Sequence, residues 1–371
     1  MSKKIKILYT IPNFDTAGSG KALLNIATLL DPALFEVCIA CLHNRGIFFK
    51  EVESSGIKIY ILKLYSNARP INKLITESYR LSRVFKQIQP QLIHSYNYAA
   101  DYTEALAAKM ARIKWIYTKK NMSWKGPSYR GWVLRSWLAD GIICQNKDML
   151  KSFFPGWYKA TLLPIGVDAN EYKSQIKNEK IQKSYGILNS DRILITIANL
   201  VPVKGIEVLL KAFKKLTLDY TNCKLIIVGD DQTEYGEKLK LDVDQLKLNN
   251  KVIFTGKIDN VNQLLDLSEI YIQPSQMEGA PIAIQEAMSN GKVVIGSNIP
   301  GIRDQLENFP HQLFKAGDSD DLYEKLVFYI SRKIEDNIEL GKKHFSFVKK
   351  NYDISIEKNK IEKFYKKILN Y

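Results

Sequence analysis

The chain runs twice through an alternation of short apolar stretches and helix-like stretches. The first series has strand-like residues 5–10, 35–42, 57–62, 91–95, 114–118 and 141–144, with helix-like residues 20–30, 74–87 and 103–110 between them. The second series has strand-like residues 193–198, 224–230, 252–256, 270–273 and 292–295, with helix-like residues 205–216, 235–246, 261–267 and 282–289. This alternation predicts parallel sheets that are covered by helices on both faces.

One break separates the two series. Residues 161–168 read Thr-Leu-Leu-Pro-Ile-Gly-Val-Asp, and a polar, lysine-rich stretch follows to about residue 189. A chain of 371 residues is also longer than one ordinary hydrophobic core requires. We therefore expect an α/β protein with two Rossmann-like, doubly wound domains that face a cleft. The N-terminal domain would span residues 1–165 and the C-terminal domain residues 166–350.

Composition narrows the class of protein and its expected location. Apolar residues make up 46% of the chain and charged residues 25%, as in soluble globular proteins. We find no apolar run of about 18 residues and no signal-peptide pattern at the N-terminus, so we expect a cytoplasmic protein. The four cysteines have no spacing typical of a disulfide framework or a metal site, and we interpret them as buried and reduced: Cys38, Cys41, Cys144 and Cys223.

Charge is unevenly distributed along the chain. Residues 1–165 contain 24 Lys and Arg against 10 Asp and Glu, whereas residues 166–341 contain 21 against 26. Residues 342–371 are again basic, with 9 against 3. The first domain is therefore expected to meet an anionic surface.

All five tryptophans lie in this basic half: Trp115, Trp124, Trp132, Trp137 and Trp157. Between Trp124 and Trp137 they alternate with basic residues: Lys125, Arg130 and Arg135. This mixture suits an anionic membrane surface, an aromatic core with a solvated basic face, or, less well, nucleic acid. We expect helix-like residues 74–87, which carry Arg80, Arg83 and Lys86, to face the membrane.

The most informative motif is Glu278-Gly-Ala-Pro-Ile-Ala-Ile-Gln-Glu286. It follows a strand-like stretch, turns through Gly and Pro, and continues as a helix. Such a junction places backbone N–H groups and the positive end of a helix dipole at the carboxyl edge of a parallel sheet, where phosphates bind. Carboxylates beside an anion site can bind hydroxyl groups of the same ligand. A nucleotide sugar carries both phosphates and hydroxyls.

Other interpretations of the two glutamates stay open. A glycosidase pair would need carboxyl groups roughly 5–9.5 Å apart, whereas eight residues along a helix rise about 12 Å. Two separate contacts on one elongated ligand fit this spacing better. Glu278 as an ordinary charge at a helix start, and Glu286 on a solvated helix face, are the purely structural alternatives.

Further candidates lie at other strand ends. Lys204 precedes a helix and suits a diphosphate leaving group, unless it is simply solvated. Gly18 and Gly20 form a glycine-rich turn that either admits a ligand to a helix start or is only a tight turn; the residues around them fail the P-loop pattern. His94, Lys119 and Lys120 end neighbouring strands, where a cleft is expected.

We expect no metal site. Asp318-Ser-Asp-Asp321 has acidic spacing that imitates a metal ligand set, but it directly precedes the apolar helical run of residues 322–330. A helix cap is therefore the better interpretation.

Taken together, these motifs resemble those of the family 4 retaining glycosyltransferases, which have the GT-B fold. Glu278-Gly-x-Pro-x-x-x-x-Glu286-Ala-Met-x-x-Gly291 is similar to the family's E-x7-E signature. Lys204-Gly205 resembles its phosphate-binding turn, and Gly18-x-Gly20 its N-terminal glycine loop. Residues 164–168 resemble its interdomain segment. The likeness is strongest over residues 193–305.

The resemblance implies roles for individual residues. Glu286 would bind the ribose hydroxyls and Glu278 a hydroxyl of the donor sugar. Lys204, with the Gly18 and Gly20 loop, would stabilise the departing diphosphate without a metal. Backbone groups near Gly279, Ala280, Ile282 and Ala283 would hold sugar and phosphate, whereas Lys257 and Ile258 fall where the family meets the base. Residues 355–371 would return to the first domain.

Two positions depart from the family's pattern. Asn199 stands where the family often has an arginine, so one expected phosphate cation is absent. Lys120 stands where the family often has a histidine after the fourth strand, and it would replace that histidine as a charged contact to phosphate or acceptor. Some bacterial polysaccharide members have a basic pair followed by Asn-Met, as in Lys119-Lys-Asn-Met122. We count Lys120 and His94 with Glu278 and Lys204 as candidate catalytic residues, and Asn199 among the donor contacts.

The predicted function is that of a retaining glycosyltransferase, peripheral on the cytoplasmic face of the cell membrane. It would move a hexosyl or N-acetylhexosaminyl group from a nucleotide-diphosphate sugar, with UDP favoured over GDP, to a lipid-linked or polysaccharide acceptor. A sugar-nucleotide epimerase of similar fold is one alternative. Another is a non-catalytic protein that binds nucleotide sugars or nucleic acid.

Overall fold

The sequence folds into two α/β units, each built on one parallel sheet. The computed structural model describes residues 4–15, 17–46, 48–65, 71–97, 99–123, 129–175, 178–258 and 260–371. The N-terminal unit comprises Met1–Ile165 and Ile354–Tyr371, and the C-terminal unit comprises Gly166–Asp353. Two doubly wound parallel-sheet domains, the predicted fold class, are thus confirmed.

The N-terminal unit has a seven-stranded sheet. Its strands are β1 (Ile5–Thr10), β2 (Phe35–Cys41), β3 (Lys58–Ile61), β4 (Leu92–Ser95), β5 (Lys114–Lys119), β6 (Gly141–Cys144) and β7 (Ala160–Leu162). Their order is β3-β2-β1-β4-β5-β6-β7, and every neighbouring pair is parallel. The strand order reverses direction between β1 and β4, which is the topological switch point of a doubly wound sheet.

Helices cover both faces of this sheet. They are α1 (Ala17–Leu29), α2 (Phe49–Ser54), α3 (Ile71–Ile88), α4 (Thr103–Ala111), α5 (Tyr129–Leu138), α6 (Lys147–Phe153) and the C-terminal α15 (Ile354–Leu369). α1, α2 and α15 contribute to the hydrophobic core on one face. α3 to α6 contribute to the core on the other face. The last helix of the chain therefore belongs to the first sheet.

The C-terminal unit repeats the plan with six strands. They are β8 (Arg192–Ile197), β9 (Cys223–Val228), β10 (Val252–Phe254), β11 (Ile270–Gln273), β12 (Val293–Ser297) and β13 (Leu313–Phe314). The order β10-β9-β8-β11-β12-β13 reverses between β8 and β11. Segments that follow β8 and β11 therefore leave the sheet side by side at the switch point.

Eight α-helices accompany this second sheet in the described residues. They are α7 (Glu179–Ser184), α8 (Ile206–Asp219), α9 (Glu234–Gln245), α10 (Asn262–Leu267), α11 (Ile282–Ser289), α12 (Ile302–Gln305) and α13 (Ser319–Ser331), and α14 (Ile334–Asn351) then completes the unit. The predicted cap at α13 is confirmed, because the Asp318 carboxylate accepts hydrogen bonds from the backbone N–H groups of Asp320 and Asp321, both at 3.1 Å. Such a cap typically contributes about 1 kcal/mol.

The structure also differs from the prediction in places. The two edge strands β7 and β13 were not predicted, because three and two residues are too few for a periodic signal. The glycine-rich turn was predicted to precede the first helix, but α1 already begins at Ala17. Gly18 and Gly20 therefore lie in its first turn. In the parts of the chain that the structure describes, no helix is both long enough and apolar enough to span a membrane.

Candidate active site

The strongest cluster of predicted residues lies where β8 and β11 end, at the switch point of the C-terminal sheet. Lys204 follows β8 and Glu278 follows β11. The Lys204 Nζ lies 2.6 Å from Glu278 Oε1. Their side chains are only 21% and 10% exposed, so this ion pair is largely withdrawn from water. The fold thus brings together two candidates that are far apart in the sequence.

Backbone geometry explains how Lys204 reaches this position. Pro202–Lys204 form one turn of 3₁₀-helix, and Gly205 follows with a φ of +64°. A Cβ atom at Gly205 would lie 2.3 Å from the Pro274 carbonyl oxygen, so only glycine fits here. The Gln276 N–H also donates to the Val203 carbonyl at 2.8 Å. The turn after β8 is therefore locked against the turn after β11.

Glu278 is held by one of its two carboxylate oxygens. Oε1 accepts hydrogen bonds from Ser275 Oγ at 2.8 Å and Gln273 Nε2 at 3.2 Å, in addition to the Lys204 contact. Gln273 is itself fixed, because the Tyr271 hydroxyl donates to its Oε1 and its Nε2 also donates to Ser275 Oγ. Three donors on Oε1 orient the carboxylate, and among the described residues none donates to Oε2. That oxygen can accept from a ligand hydroxyl.

The turn from Glu278 into α11 is closely packed against the segment that carries Gly301. Gly301, with a φ of +84°, lies so close that a Cβ there would be 2.3 Å from the Gly279 carbonyl oxygen. Gly279 is buried, whereas Ala280, Ile282 and Ala283 are half-buried. α11 begins after Pro281 without a side-chain cap and without an acidic residue in its first turn. Its uncapped N-terminus favours an anion.

Glu286 lies on α11 and is buried, with 9% of its surface exposed. The Tyr172 hydroxyl hydrogen-bonds to its carboxylate. Burial, and secondarily the charge of Glu286 and this hydrogen bond, raise the pKa of Tyr172. The tyrosine therefore stays a neutral donor at physiological pH, and Glu286 is not the solvated helix-face residue of the structural alternative.

The other predicted donor contacts are more exposed. Asn199 and Lys257 are exposed, and Ile258 is half-buried. Asn199 follows β8, whereas Lys257 and Ile258 follow β10. The ends of β9 and β10 are joined by a hydrogen bond, which the Gly229 N–H donates to the Gly256 carbonyl at 3.1 Å. All three lie at the carboxyl edge of the sheet, and their roles stay predictions.

Gly18 and Gly20 differ in their surroundings. Gly18 is exposed, and a Cβ added there would meet no atom within 4 Å. Gly20 is buried, and a Cβ there would lie 2.8 Å from Phe14 Cδ1 and 3.0 Å from Phe48 Cδ1. Packing thus explains the glycine at position 20. A ligand contact by either residue stays a prediction.

His94 lies at the end of β4 and is fully buried. Its Nδ1 is 2.6 Å from the Tyr365 hydroxyl, and its Nε2 is 2.8 Å from Thr118 Oγ1. Burial and, next, the charge of Lys120 lower its pKa well below the usual value. With both ring nitrogens engaged by protein groups, His94 connects β4 to β5 and α15. A direct proton transfer by this residue would require breaking one of these bonds.

Lys120 follows β5 on the same side as His94. Its Nζ lies 4.1 Å from the centre of the Tyr96 ring, and it is buried without a hydrogen-bond partner among the described residues. Burial lowers its pKa to about 7, against an opposing effect of Glu357 on α15. A buried ammonium with free N–H groups is a receptor for an anion.

The neighbouring Lys119 points to different surroundings. Its Nζ lies 4.1 Å from the Phe153 ring centre and 4.9 Å from that of Trp132, and it donates to Asn121 Oδ1 at 3.3 Å. Burial, with a further effect of Arg135, lowers its pKa to about 8. The two neighbouring lysines therefore differ in their surroundings: Lys119 packs against aromatic rings, whereas Lys120 is the candidate ligand contact.

Much of the predicted aromatic and basic cluster is internal. Trp115 and Trp132 are buried, and the guanidinium carbon of the fully buried Arg135 lies 5.1 and 5.6 Å from their ring centres. For these residues the core interpretation applies, whereas Trp137 is 68% exposed. Trp124 and Lys125 lie outside the described residues.

Sequence reasoning missed a buried polar network beside this core. Arg135 donates to the carbonyls of Asn97, Ala99 and Asp101, and to Ser95 Oγ at 3.1 Å. Ser95 in turn donates to Glu104 at 2.9 Å. The network fixes the loop after β4. No sequence signal distinguishes Arg135 and Glu104 from charged residues on a solvated helix face.

Known protein families and relatives match most of this chain. The family model described as Glycosyl transferases group 1 matches residues 177–344, and that of Glycosyltransferase Family 4 matches residues 16–171. A glycosyltransferase of Haemophilus influenzae, described as uncharacterized, is 31% identical over 316 residues, covering 82% of this chain and 84% of the relative. The Escherichia coli UDP-Gal:alpha-D-GlcNAc-diphosphoundecaprenol alpha-1,3-galactosyltransferase is 23% identical over 348 residues, covering 89% of each.

Other similarities are partial or structural. An uncharacterized glycosyltransferase of Methanocaldococcus jannaschii is 26% identical over 245 residues, 61% of this chain and only 60% of the relative. The crystal structure of Anabaena HepE in complex with UDP-glucose has a TM-score of 0.82 at 19% identity, with 98% of this chain and 100% of that chain covered. The family matches and the fold lead to one conclusion: the chain belongs to the family 4 glycosyltransferases, the group 1 transferases of the GT-B fold.

Proposed function

We propose that this transferase moves a hexosyl or N-acetylhexosaminyl group from a UDP-sugar to a lipid-linked or polysaccharide acceptor, with retention of configuration, in surface glycan synthesis. The observation that carries the proposal is the Lys204–Glu278 pair beside the uncapped start of α11, with Glu286 farther along the same helix. A cation and helix N–H groups suit a diphosphate, and the two carboxylates suit hydroxyls on either side of it.

Each group has one task in this proposal. Lys204 has three N–H donors and gives one to Glu278, so two are available to phosphate oxygens. Glu278 Oε2 accepts from a hydroxyl of the sugar, and Glu286 accepts from the ribose. Asn199, Lys257 and Ile258 line the nucleotide. No metal has a role, and transfer should persist in EDTA.

The proposed chemistry balances without a protein nucleophile. The bond from the sugar C1 to the diphosphate oxygen breaks while the acceptor oxygen bonds to C1 on the same face. The acceptor's proton passes to the departing phosphate oxygen. The protein's contribution is preorganised charge at that phosphate, supplied by Lys204 and the α11 N-terminus. The choice of donor and acceptor is supported by the Escherichia coli relative, which is named for UDP-Gal and a diphosphoundecaprenol acceptor, and by the HepE structure, which is in complex with UDP-glucose.

A panel of UDP- and GDP-sugars tests the function, first by thermal shift and then by mass spectrometry after incubation with lipid-linked acceptors. We expect stabilisation by a UDP-sugar and a product that is heavier than the acceptor by one sugar. NMR of the new linkage reports whether configuration is retained. Conversion of the donor into an isomeric nucleotide sugar would indicate an epimerase instead. Binding without any turnover would indicate a non-catalytic protein.

The N-terminal unit is proposed to bind the acceptor, with Lys120 contacting a phosphate or acceptor oxygen. His94 contributes by holding Thr118 and Tyr365 beside this lysine. The exposed Gly18, in the first turn of α1, leaves room for a ligand at this helix start, whereas Gly20 is packed against Phe14 and Phe48.

Replacing Lys120 by Met should raise thermal stability while it lowers transfer activity. In the folded protein the pKa of Lys120 is about 7, below its value of about 10.4 in an unfolded chain. Burying the charged form therefore costs stability at pH 6, and this cost fades as pH rises through 7 and the folded protein loses the proton. The gain in melting temperature should be larger at pH 6 than at pH 9, as measured by calorimetry. An equal change at both pH values would contradict a buried, titrating Lys120.

We propose that the enzyme is peripheral on the cytoplasmic face of the membrane. The N-terminal unit carries 29 Lys and Arg against 12 Asp and Glu. On α3 the outer residues Ile71, Ile75 and Tyr79 are half or more exposed at spacings of four, beside the exposed Arg80 and Arg83. Such a face suits the interface of an anionic bilayer.

Binding to anionic vesicles should therefore be sensitive to salt. Raising salt from 50 to 500 mM screens the charges, so we expect release from phosphatidylglycerol vesicles in sedimentation assays. The double variant Arg80→Glu, Arg83→Glu should bind less at 50 mM salt. Phosphatidylcholine vesicles are the control. Binding that is absent, or equally strong at high salt, would count against this membrane contact.

A further inference from the structure

We infer that Tyr172 is a positioning residue for the donor nucleotide and acts through Glu286. This inference rests on the proposed ribose contact of Glu286 and adds the group that sets its geometry. Tyr172 lies in the segment that precedes α7, outside the motif that carries Glu286. Only 3% of its surface is exposed, so its hydroxyl has the protein interior as its environment.

A hydrogen-bond network anchors the segment that carries Tyr172. The Tyr172 carbonyl accepts from Asn290 Nδ2 at 3.1 Å, and the same nitrogen is 3.0 Å from Asp266 Oδ1. Asn290 is the residue that ends α11, the helix of Glu286. Asp266, which lies on the neighbouring α10, also accepts from Ser174 Oγ at 3.2 Å and the Gln175 N–H at 3.0 Å. Residues 172–175 are therefore tied to the end of α11 and to α10.

Packing fixes the ring in the same way. Tyr172 belongs to the hydrophobic core that includes Ile284, Ala287 and Met288 of α11. With backbone and ring both held against α11, the hydroxyl can hardly follow a moving carboxylate. The carboxylate of Glu286 must instead adopt the orientation that the hydroxyl dictates.

The chemistry of this pair suits a ribose contact. A carboxylate accepts at two oxygens, and one neutral tyrosine hydroxyl fixes its rotation while leaving acceptor capacity for a ligand. A fixed acceptor binds a diol more tightly than one that must first be ordered, because ordering side chains on binding costs free energy. Tyr172 should therefore increase affinity for the ribose, and the discrimination against nucleotides that lack a ribose hydroxyl.

The variant Tyr172→Phe removes only the hydroxyl and keeps the packed ring. In calorimetric titrations with UDP, we expect its dissociation constant to rise about five- to tenfold, which is less than the loss of a direct hydrogen bond to a charged group would cause, because Tyr172 acts only through Glu286. The second readout is the ratio of affinities for UDP and for 2′-deoxy- and 3′-deoxy-UDP. This ratio should shrink in the variant, whereas a merely structural defect would weaken all three nucleotides alike. GDP and its deoxy analogues are titrated in parallel.

Matched variants complete the experiment. Tyr323→Phe is the control, because it also removes a tyrosine hydroxyl from a carboxylate, that of Asp219 at 2.7 Å, but away from Glu286; it should bind like the wild type. Glu286→Gln should weaken UDP binding, and adding Tyr172→Phe to it should cost little more. Wild-type affinity and an unchanged affinity ratio in Tyr172→Phe would overturn this inference but not the proposed ribose contact of Glu286. Wild-type affinity in Glu286→Gln, or no nucleotide binding by the wild type, would overturn the proposed ribose contact and this inference with it.

Discussion

The variant Lys204→Met should lose roughly 10²–10³-fold in kcat, the cost typical of removing one preorganised donor from a developing negative charge. Lys204 follows β8 at the carboxyl edge of the C-terminal sheet, 2.6 Å from Glu278, and Asn199, which also follows β8, carries no charge. In the variant, the departing diphosphate would lose the charge of Lys204 beside the α11 N-terminus. Because this charge grows as the bond to the sugar breaks, kcat should fall more than donor affinity.

Methionine keeps the length of the lysine side chain, so the turn at Gly205 should survive. Initial rates at saturating donor, with acceptor fixed, measure the effect. Lys211→Met is the control, since it removes an exposed lysine from α8 of the same unit, and it should retain wild-type kcat. If Lys204→Met kept kcat within threefold of the wild type, its proposed role at the leaving group would be wrong.

The variant Glu286→Ala should abolish measurable donor binding. Two charge-assisted hydrogen bonds to ribose hydroxyls contribute about 1.5–3 kcal/mol each, so their loss should raise the dissociation constant at least about a hundredfold. The substitution also leaves the Tyr172 hydroxyl without its carboxylate partner. Isothermal titration with UDP, or with the UDP-sugar identified by thermal shift, measures the loss.

Folding must be checked beside binding, because Glu286 is buried. Circular dichroism and the melting temperature report whether the second sheet is intact. Glu324→Ala, which removes an exposed carboxylate from α13, is the matched control and should bind normally. Unchanged donor affinity in a folded Glu286→Ala would exclude the ribose contact.

The sequence predicted the sheets well because their strands are apolar runs at regular intervals. β7 and β13 were not predicted, since edge strands of two or three residues are too short to show periodicity. α5 was also not predicted as an element, and the sequence left open whether its tryptophans and arginines lie in a core or on a surface. Arg135 shows why: a buried guanidinium is stable only where carbonyls and aromatic rings surround it, and these come from other elements.

The candidate site was predictable in its residue types but not in its contacts. The spacing of Glu278 and Glu286 indicated an elongated ligand, and Lys204 was a candidate because it follows a strand. Their ion pair depends on the strand order, which brings β8 beside β11. Gln273, Ser275 and Tyr172 could not be found in this way. Their roles arise from contacts with a carboxylate, and such polar residues are common at turns without any function.

The C-terminal helix has a consequence for how this chain matures. α15 supplies Ile361, Phe364 and Tyr365 to the core over the first sheet, and Tyr365 holds His94. That face is completed only after the intervening Gly166–Asp353 has been synthesised. At common ribosomal speeds this delay is roughly 10–40 s. During that time the apolar face of the nascent first sheet lacks these side chains, and His94 lacks its Tyr365 partner.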